Sequence, residues 1–501
     1  DEDGDMEVRP LHDGTNGVRV NTHIKVLDGG VSPLATDLKR ALRAQAARRR
    51  PHCGLTVDVE GAHNTVMVRP DDWPLQACQV RPGGPIYLNK TGTFGISSAA
   101  YWWGRLAAAL HRSGLLLLGP WLPLWALLFA DDFNLIAEGS EYARSILMFV
   151  WWLVMLGVPL SWHKTRGGLR YTWVGYELCL KEWPLGISES RAQWTISWLT
   201  RTIRAQHVDV KELQEALGRM VYVYGALSYD KPFMAPLFAF MKLHQGKGRK
   251  RLPLYALMVM RWLRDRLTVR RSEVVRSRGA IERSAFRVDA KAEGYAVAIG
   301  GWAPHHGEDG QVDTSRSRWF SVTLSEHNAP WAFVKGEPSR TISSLELLAS
   351  LVGLVLLSPK GLEVPGRAGT VAMTGFTDSQ VSSSVVTKGM TTAYPLCVVT
   401  MEMAAQLERR GIELFLEWAP REQNREADRL ADGLFAGFSS HLRVHSSLED
   451  IQWLVMPGLL EAGAKFYEDA KRETKDQVKG PARAVASRKR KGERLRDREP
   501  W

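Results

Sequence analysis

Three carboxylates in the first third of the chain have the types and spacing for phosphate chemistry. Asp58 closes the apolar run Leu55-Thr56-Val57, and Asp131-Asp132 stands between the arms Leu127-Leu128-Phe129 and Phe133-Asn134-Leu135-Ile136. A strand ending in an acid and a hairpin turning on two acids can meet at one edge of a sheet. Carboxylates gathered there suit hard divalent cations. Two Mg²⁺ ions sharing them could activate a 3′ hydroxyl and stabilise a leaving pyrophosphate in an in-line transfer. An adjacent Asp pair is commonly just a solvated turn, and taken alone these residues favour that reading.

The elements that must position these acids follow from local pattern. A short buried strand is expected at 55–59, a helix at 93–112 after the turn Pro82-Gly83-Gly84-Pro85, a hairpin at 127–136 and a helix at 141–157. Further helices are expected over 190–245. A basic segment at 246–283, with Lys247, Arg249, Lys250, Arg251 and the arginines between 261 and 283, marks a boundary. A second α/β pattern follows: strands near 285–303 and 317–324, a helix at 343–357, a strand at 370–377, a helix at 393–410, a strand at 411–418 and a helix at 424–436. Alternation puts Ile412, Leu414, Leu416 and Trp418 on one strand face. Within this second region Asp289, Glu346, Asp378 and Asp428 stand at element edges, each ordinary by itself. The charged tail beyond 470 reads as disordered, and no repeat of fixed period is present.

Composition sets limits. The 501 residues are 45% hydrophobic, which excludes global disorder and predicts several domains. The net charge of +12 favours a polyanionic partner. Cys53, Cys78, Cys179 and Cys397 lie far apart without zinc or disulfide spacing, which fits a reducing, intracellular setting in nucleus or cytoplasm. The start Asp1-Glu2-Asp3 is unlike a signal peptide. Two apolar stretches, 115–130 and 146–160, fall short of the ~20 residues that span a bilayer. Pro120 and Pro123 interrupt the first, and Gly157 and Pro159 end the second. They are read as buried core, with no membrane partner.

The order of features from 50 to 180 resembles the palm of a reverse transcriptase. Val57-Asp58-Val59-Glu60-Gly61-Ala62-His63 is similar to that family's first palm motif, and Phe94-Gly95-Ile96-Ser97-Ser98-Ala99 to its second. Phe129-Ala130-Asp131-Asp132 matches the catalytic hairpin, with Phe for the more usual Tyr. Gly157-Val158-Pro159-Leu160-Ser161-Trp162-His163-Lys164 and Trp173-Val174-Gly175-Tyr176-Glu177 resemble the fourth and fifth motifs. The resemblance implies that Asp58 and Asp131 bind two metal ions with help from Asp132. It implies that backbone from Val59 to Ala62 cradles a triphosphate, that Gly95 lies along template and nucleotide, and that Lys164 lies near the phosphates. His63 stands where the family usually has the Phe or Tyr that excludes a ribose 2′ hydroxyl, which predicts weakened selection of deoxynucleotides. Val8-Arg9-Pro10-Leu11-His12-Asp13 resembles the end of the fingers hairpin, making Arg9 a triphosphate contact, and the fingers are expected to be truncated. The stretch from Val210 to Arg219 resembles the thumb, and the basic run after 246 would follow a duplex backbone.

The later acids resemble those of a ribonuclease H domain, whose four carboxylates hold two Mg²⁺ ions. Arg287-Val288-Asp289-Ala290, Ser343-Ser344-Leu345-Glu346-Leu347-Leu348-Ala349, Phe376-Thr377-Asp378-Ser379 and the segment from Trp418 to Ala431 carry the likeness. Leu345, Leu348 and Leu351 would pack inward from one helix face. Asn424 would cap the helix bearing Asp428, Arg421 or water would serve where some members carry a His, and Asp432 would be solvated. The implied whole is an α+β palm and thumb polymerase, right-handed, followed by an α/β ribonuclease H-like domain. Its divisions are 1–50 partial fingers, 51–185 palm, 186–283 thumb or connection with a basic linker, 284–440 ribonuclease H-like, and 441–501 a C-terminal extension. The order is most like retrotransposons of the long-terminal-repeat or DIRS type. Expected partners are an RNA template, a DNA primer, an RNA–DNA hybrid and deoxynucleoside triphosphates, with two Mg²⁺ or Mn²⁺ ions per site. The oligomeric state is left open. The rival reading is a degenerate or domesticated fragment that binds nucleic acid without turnover.

Overall fold

The computed structural model describes residues 14–15, 19–26, 28–46, 52–79, 81–275, 282–333, 336–358 and 371–478. Arg9, the arginines 48–50 and the basic run at 488–491 lie outside the described residues.

The first acids belong to a four-stranded sheet ordered Leu124–Phe129, Asp132–Glu138, His52–Asp58, Arg166–Gly168. Its long ladder pairs His52 with Glu138 at one end and Asp58 with Asp132 at the other, all antiparallel. Helices Ser97–Leu118 and Tyr142–Met155 cover one face and close a core of Val57, Trp103, Phe133, Leu135, Phe149 and Leu153. The first helix begins four residues later than expected, because Gly95 takes a positive φ of 95° and keeps its neighbours in a turn. It ends at Gly119 and Pro120. The stretches 115–130 and 146–160 are only half buried: Leu118, Phe149 and Leu153 face inward, whereas Leu116, Trp121, Leu147 and Trp151 face solvent.

A second sheet, ordered Ser272–Val274, Pro184–Ile187, Tyr176–Cys179, Arg170–Trp173, adjoins helices Glu189–Ala205, Val210–Ala226, Ala235–Leu243 and Leu254–Val269. One apolar core runs from Ala35 through these helices to Phe466. The segment expected to be a basic linker thus contains a buried helix, with Tyr255, Met260, Leu263 and Leu267 in that core. Several of its arginines are engaged internally. Arg266 pairs with Asp230 at 3.1 Å and with Glu408, Arg270 also pairs with Glu408, and Arg271 pairs with Glu189 at 2.6 Å. Guanidinium groups so held are less available to a phosphate backbone than the exposed Arg249, Arg251 and Arg261.

The third sheet is mixed, ordered Arg318–Leu324, Ala296–Ala303, Glu282–Glu293, Val371–Thr377, Ile412–Trp418. The first three strands are antiparallel, and the last two join in parallel. Helix Ile342–Leu357 lies against it. Leu345, Leu348 and Leu351 are buried as expected, and Leu347 and Leu354 are buried with them, so the helix is enclosed on more than one face. Among the described helices it alone is long and apolar enough to cross a membrane by composition, as Pro338–Leu357, and 72% of its apolar window is buried inside the fold. Helix Met456–Val478 lies in a region for which the sequence predicts only an extension. Glu402, fully buried, accepts hydrogen bonds from the backbone N–H groups of Leu454, Val455 and Met456 at 2.8–3.1 Å and so anchors the start of that helix.

Candidate metal centres

The first centre is a consequence of register. The ladder ends on the pair Asp58 and Asp132, and the hairpin pairs Phe129 with Asp132, leaving Ala130 and Asp131 as a two-residue turn. Ala130 holds the left-handed φ of 53°, a conformation that costs a residue with a Cβ about 1 kcal/mol or more. The turn is pinned from both sides: Trp103 Nε1 donates to the Ala130 carbonyl at 3.0 Å, and the Val59 N–H donates to the Asp131 carbonyl at 3.0 Å. Carboxylate oxygens of Asp58, Asp131 and Asp132 consequently lie within 4.8 Å of one another.

Crowding and partial burial shape the electrostatics. Desolvation, then the neighbouring Asp58 and Asp131, raise the Asp132 carboxyl to about 6. Asp131 is also raised, mainly by burial. Lys164, on the turn Trp162–Lys164, reaches Asp58 Oδ1 at 3.1 Å. His63 lies edge-on to Phe94 with ring centres 4.7 Å apart, and burial lowers its pKa against the pull of Asp131. Ala62 is buried beside it in the short 3₁₀ turn. The expected phosphate cradle is corrected at its first two positions. The Val59 N–H is committed to Asp131, and the Glu60 N–H donates to the Pro159 carbonyl at 2.9 Å. Gly95 is exposed, and its carbonyl accepts from Asn21 Nδ2 at 2.7 Å.

The second centre draws on three elements. Asp289 lies on the central strand, Glu346 on the buried helix, and Asp378 one residue beyond Val371–Thr377; their oxygens also gather within 4.8 Å. Burial foremost, with Asp378 as neighbour, raises Asp289 to about 8. Burial, with Asp289 and Asp378, raises Glu346 to about 9. Glu346 Oε2 is buried without a hydrogen-bond partner. Such an orphaned acceptor facing two other carboxylates fits a divalent cation.

Asp428 does not join this trio. It pairs with Arg421 at 2.6 Å and reaches Asp289 only through its field. Asn424 occupies the N-cap position without capping: its buried side chain donates instead to the Val288 carbonyl at 2.9 Å, tying the helix to the strand that carries Asp289. The helix can approach because residue 300 is glycine; a Cβ there would lie 2.5 Å from the Ala431 nitrogen. Asp432 is not simply solvated, since Lys291 pairs with it at 2.7 Å. Trp418 departs from the buried face of Ile412, Leu414 and Leu416. At the strand end its indole N–H donates to the Asp378 carbonyl at 2.9 Å, leaving the ring exposed.

Four residues support the first centre and its surroundings; Trp173 falls within a motif read from the sequence, whereas Tyr222, Trp103 and Asn21 fall within none. Trp173 Nε1 donates to the Asp132 carbonyl at 3.3 Å, Tyr222 OH to the Val174 carbonyl at 2.6 Å, Trp103 holds Ala130, and Asn21 braces Gly95. For Tyr222, Trp103 and Asn21 the only signal is the polar tip of the side chain, which needs a partner when buried.

Neither a family model nor a curated protein matches the chain. Among solved structures it is similar to the foamy viral protease-reverse transcriptase in complex with an RNA/DNA hybrid, at 13% identity and a TM-score of 0.36. That likeness covers 73% of this chain and 44% of the other, so the chain spans less than half the length of its neighbour, and a likeness this distant establishes neither activity nor substrate.

Proposed function

We propose that the chain is an RNA-directed DNA polymerase of a retroelement whose second region hydrolyses the RNA strand of RNA–DNA hybrids. One observation carries the reading: two separate trios of carboxylates, each within 4.8 Å, stand on strands and a helix named by two different ordered sets of motifs. Hard divalent ions bound there supply activation of the attacking oxygen and neutralisation of the phosphate. Asp58 and Asp131 hold the ions at the first centre, and Asp132, already reluctant to ionise, assists. Lys164 leaves Asp58 and turns to phosphate. His63 packs beside the sugar, where an imidazole is smaller than Phe or Tyr and can donate a hydrogen bond. At the second centre Asp289, Glu346 and Asp378 hold the ions, and Asp428 joins as the fourth carboxylate once Arg421 turns to the hybrid backbone.

The test is a primer annealed to an end-labelled RNA template, incubated with Mg²⁺ and deoxynucleoside triphosphates. Extended DNA and shortened RNA are both expected. Absence of extension in a protein that binds the hybrid would establish the binding-only alternative.

A further inference from the structure

One face of the molecule belongs to neither acid centre. Residues 113–130 and 145–162 contain no charged side chain. The fold sets the helices that carry them side by side: a Cβ on Gly114 would meet the Phe149 ring at 2.6 Å and Trp152 at 3.1 Å. The Trp152 indole N–H donates to Ser113 Oγ at 3.3 Å across the same seam. Inward residues Trp103, Ala107, Phe149 and Leu153 fill the core beneath the sheet. Outward ones are bare. Trp121 is 86% exposed, Leu116 81%, Leu147 65%, Met155 61% and Trp151 54%. Leu147, Trp151 and Met155 recur every four residues, so they form one stripe along the helix.

The size of this face decides how to read it. With Trp offering ~250 Å² and an aliphatic chain ~130 Å² when fully exposed, these side chains together with Leu117, Val154 and Leu156 present on the order of 800 Å² of apolar surface. That exceeds what a monomer commonly leaves open and is comparable to the ~800 Å² each partner contributes to a stable interface. Its chemistry narrows the partner. Nucleic acid and charged peptides find no counter-charge within the two segments, and Arg112 and the pair Arg144–Glu141, at 3.6 Å, stand just before them in the chain. A surface that is apolar throughout is complementary to itself, and a two-fold axis through the stripe buries both copies at once.

We propose that this face joins two copies of the chain in an isologous dimer. The inference rests on exposure and packing and is independent of either acid centre. Sedimentation velocity and light scattering on the full chain between about 1 and 50 µM test it, a range that brackets ordinary interface affinities. A dimer that dissociates on dilution is expected. The double substitution Leu147→Glu/Trp151→Glu is expected to weaken it by about thirtyfold or more, the scale of interface hot spots, with the melting temperature unchanged. Trp151→Ala, which adds no charge, keeps the test open if the glutamates impair folding, and is expected to weaken association about tenfold. A monomer throughout this range overturns the proposal, as does a dimer indifferent to these substitutions. A monomer that floats with phosphatidylcholine vesicles and loses flotation on Trp151→Ala also overturns it, assigning the face to lipid.

Discussion

The two carboxylate trios have equal membership and opposite construction. Asp58, Asp131 and Asp132 sit at a sheet edge over a small local core, half-buried, with Lys164 already among them. Asp289 and Glu346 are buried against the largest core, and the nearest cation, Arg421, is bonded to an acid outside the trio. The protonation tendencies follow: Asp132 rises to about 6, whereas Asp289 and Glu346 rise to about 8 and 9. Depth makes a site more rigid and also more dependent on whatever neutralises it.

The strongest way to break this comparison is to remove one trio at a time. Asp131→Asn is expected to lower primer extension at least about a thousandfold while leaving hybrid cleavage within about twofold, and Asp378→Asn to do the reverse. Loss of both activities in either variant would show a single site or a collapsed fold. The counter-ions come next. Lys164→Ala, inside its trio, is expected to slow extension about thirtyfold, and Arg421→Ala, outside its trio, to slow cleavage no more than about threefold. Equal losses would remove the distinction between them. A smaller effect is expected at the sugar: His63→Phe should raise discrimination against ribonucleotides about tenfold. Incorporation of ribo- and deoxynucleotides at equal rates by the unaltered protein would refute a sugar contact at His63.

The least pronounced effect concerns pH. Asp289 and Glu346 titrate higher in the folded chain than in the unfolded one, so the folded state holds more protons from about pH 4 up to about 8 or 9. Their contribution to stability is full below that window and is lost as pH rises through it. Metal-free protein is therefore expected to melt a few degrees lower at pH 9 than at pH 6, with Mg²⁺ restoring more at the higher pH because fewer protons must be displaced. Glu346→Gln should flatten both trends. A pH-independent difference between the variant and the parent chain would argue against a buried carboxylate as the cause.

Strand ends are legible in the sequence because an acid closing an apolar run has few places to go. Asp58 ends its strand, Asp131 stands in the hairpin turn and Asp378 follows its strand by one residue, as expected, while Asp289 lies within strand Glu282–Glu293. Side-chain direction at helix starts is not legible: Asn424 has a choice between its own helix and the Val288 carbonyl, and only the approach permitted by Gly300 decides it. The basic segment misleads because charge dominates its appearance while Tyr255, Met260, Leu263 and Leu267 set its burial. In Met456–Val478 the buried Met456, Leu459, Ala462 and Phe466 recur at helical spacing, a signal hidden among charged neighbours. The outward face of 145–162 is hidden for the converse reason, since uniform apolarity erases the contrast by which inside is told from outside.

The ladder between His52–Asp58 and Asp132–Glu138 closes on a pair of carboxylates, with Lys164 set against one of them. Where both carboxyls ionise the terminal rung repels itself beyond what Lys164 offsets, so without a bound metal ion the sheet should open and reclose most readily at the end that does the chemistry. A bound cation then acts as a clasp on a zip. Amide exchange at Val59, whose N–H holds the Asp131 carbonyl, would report the clasp fastening, and would do so in the absence of any nucleotide.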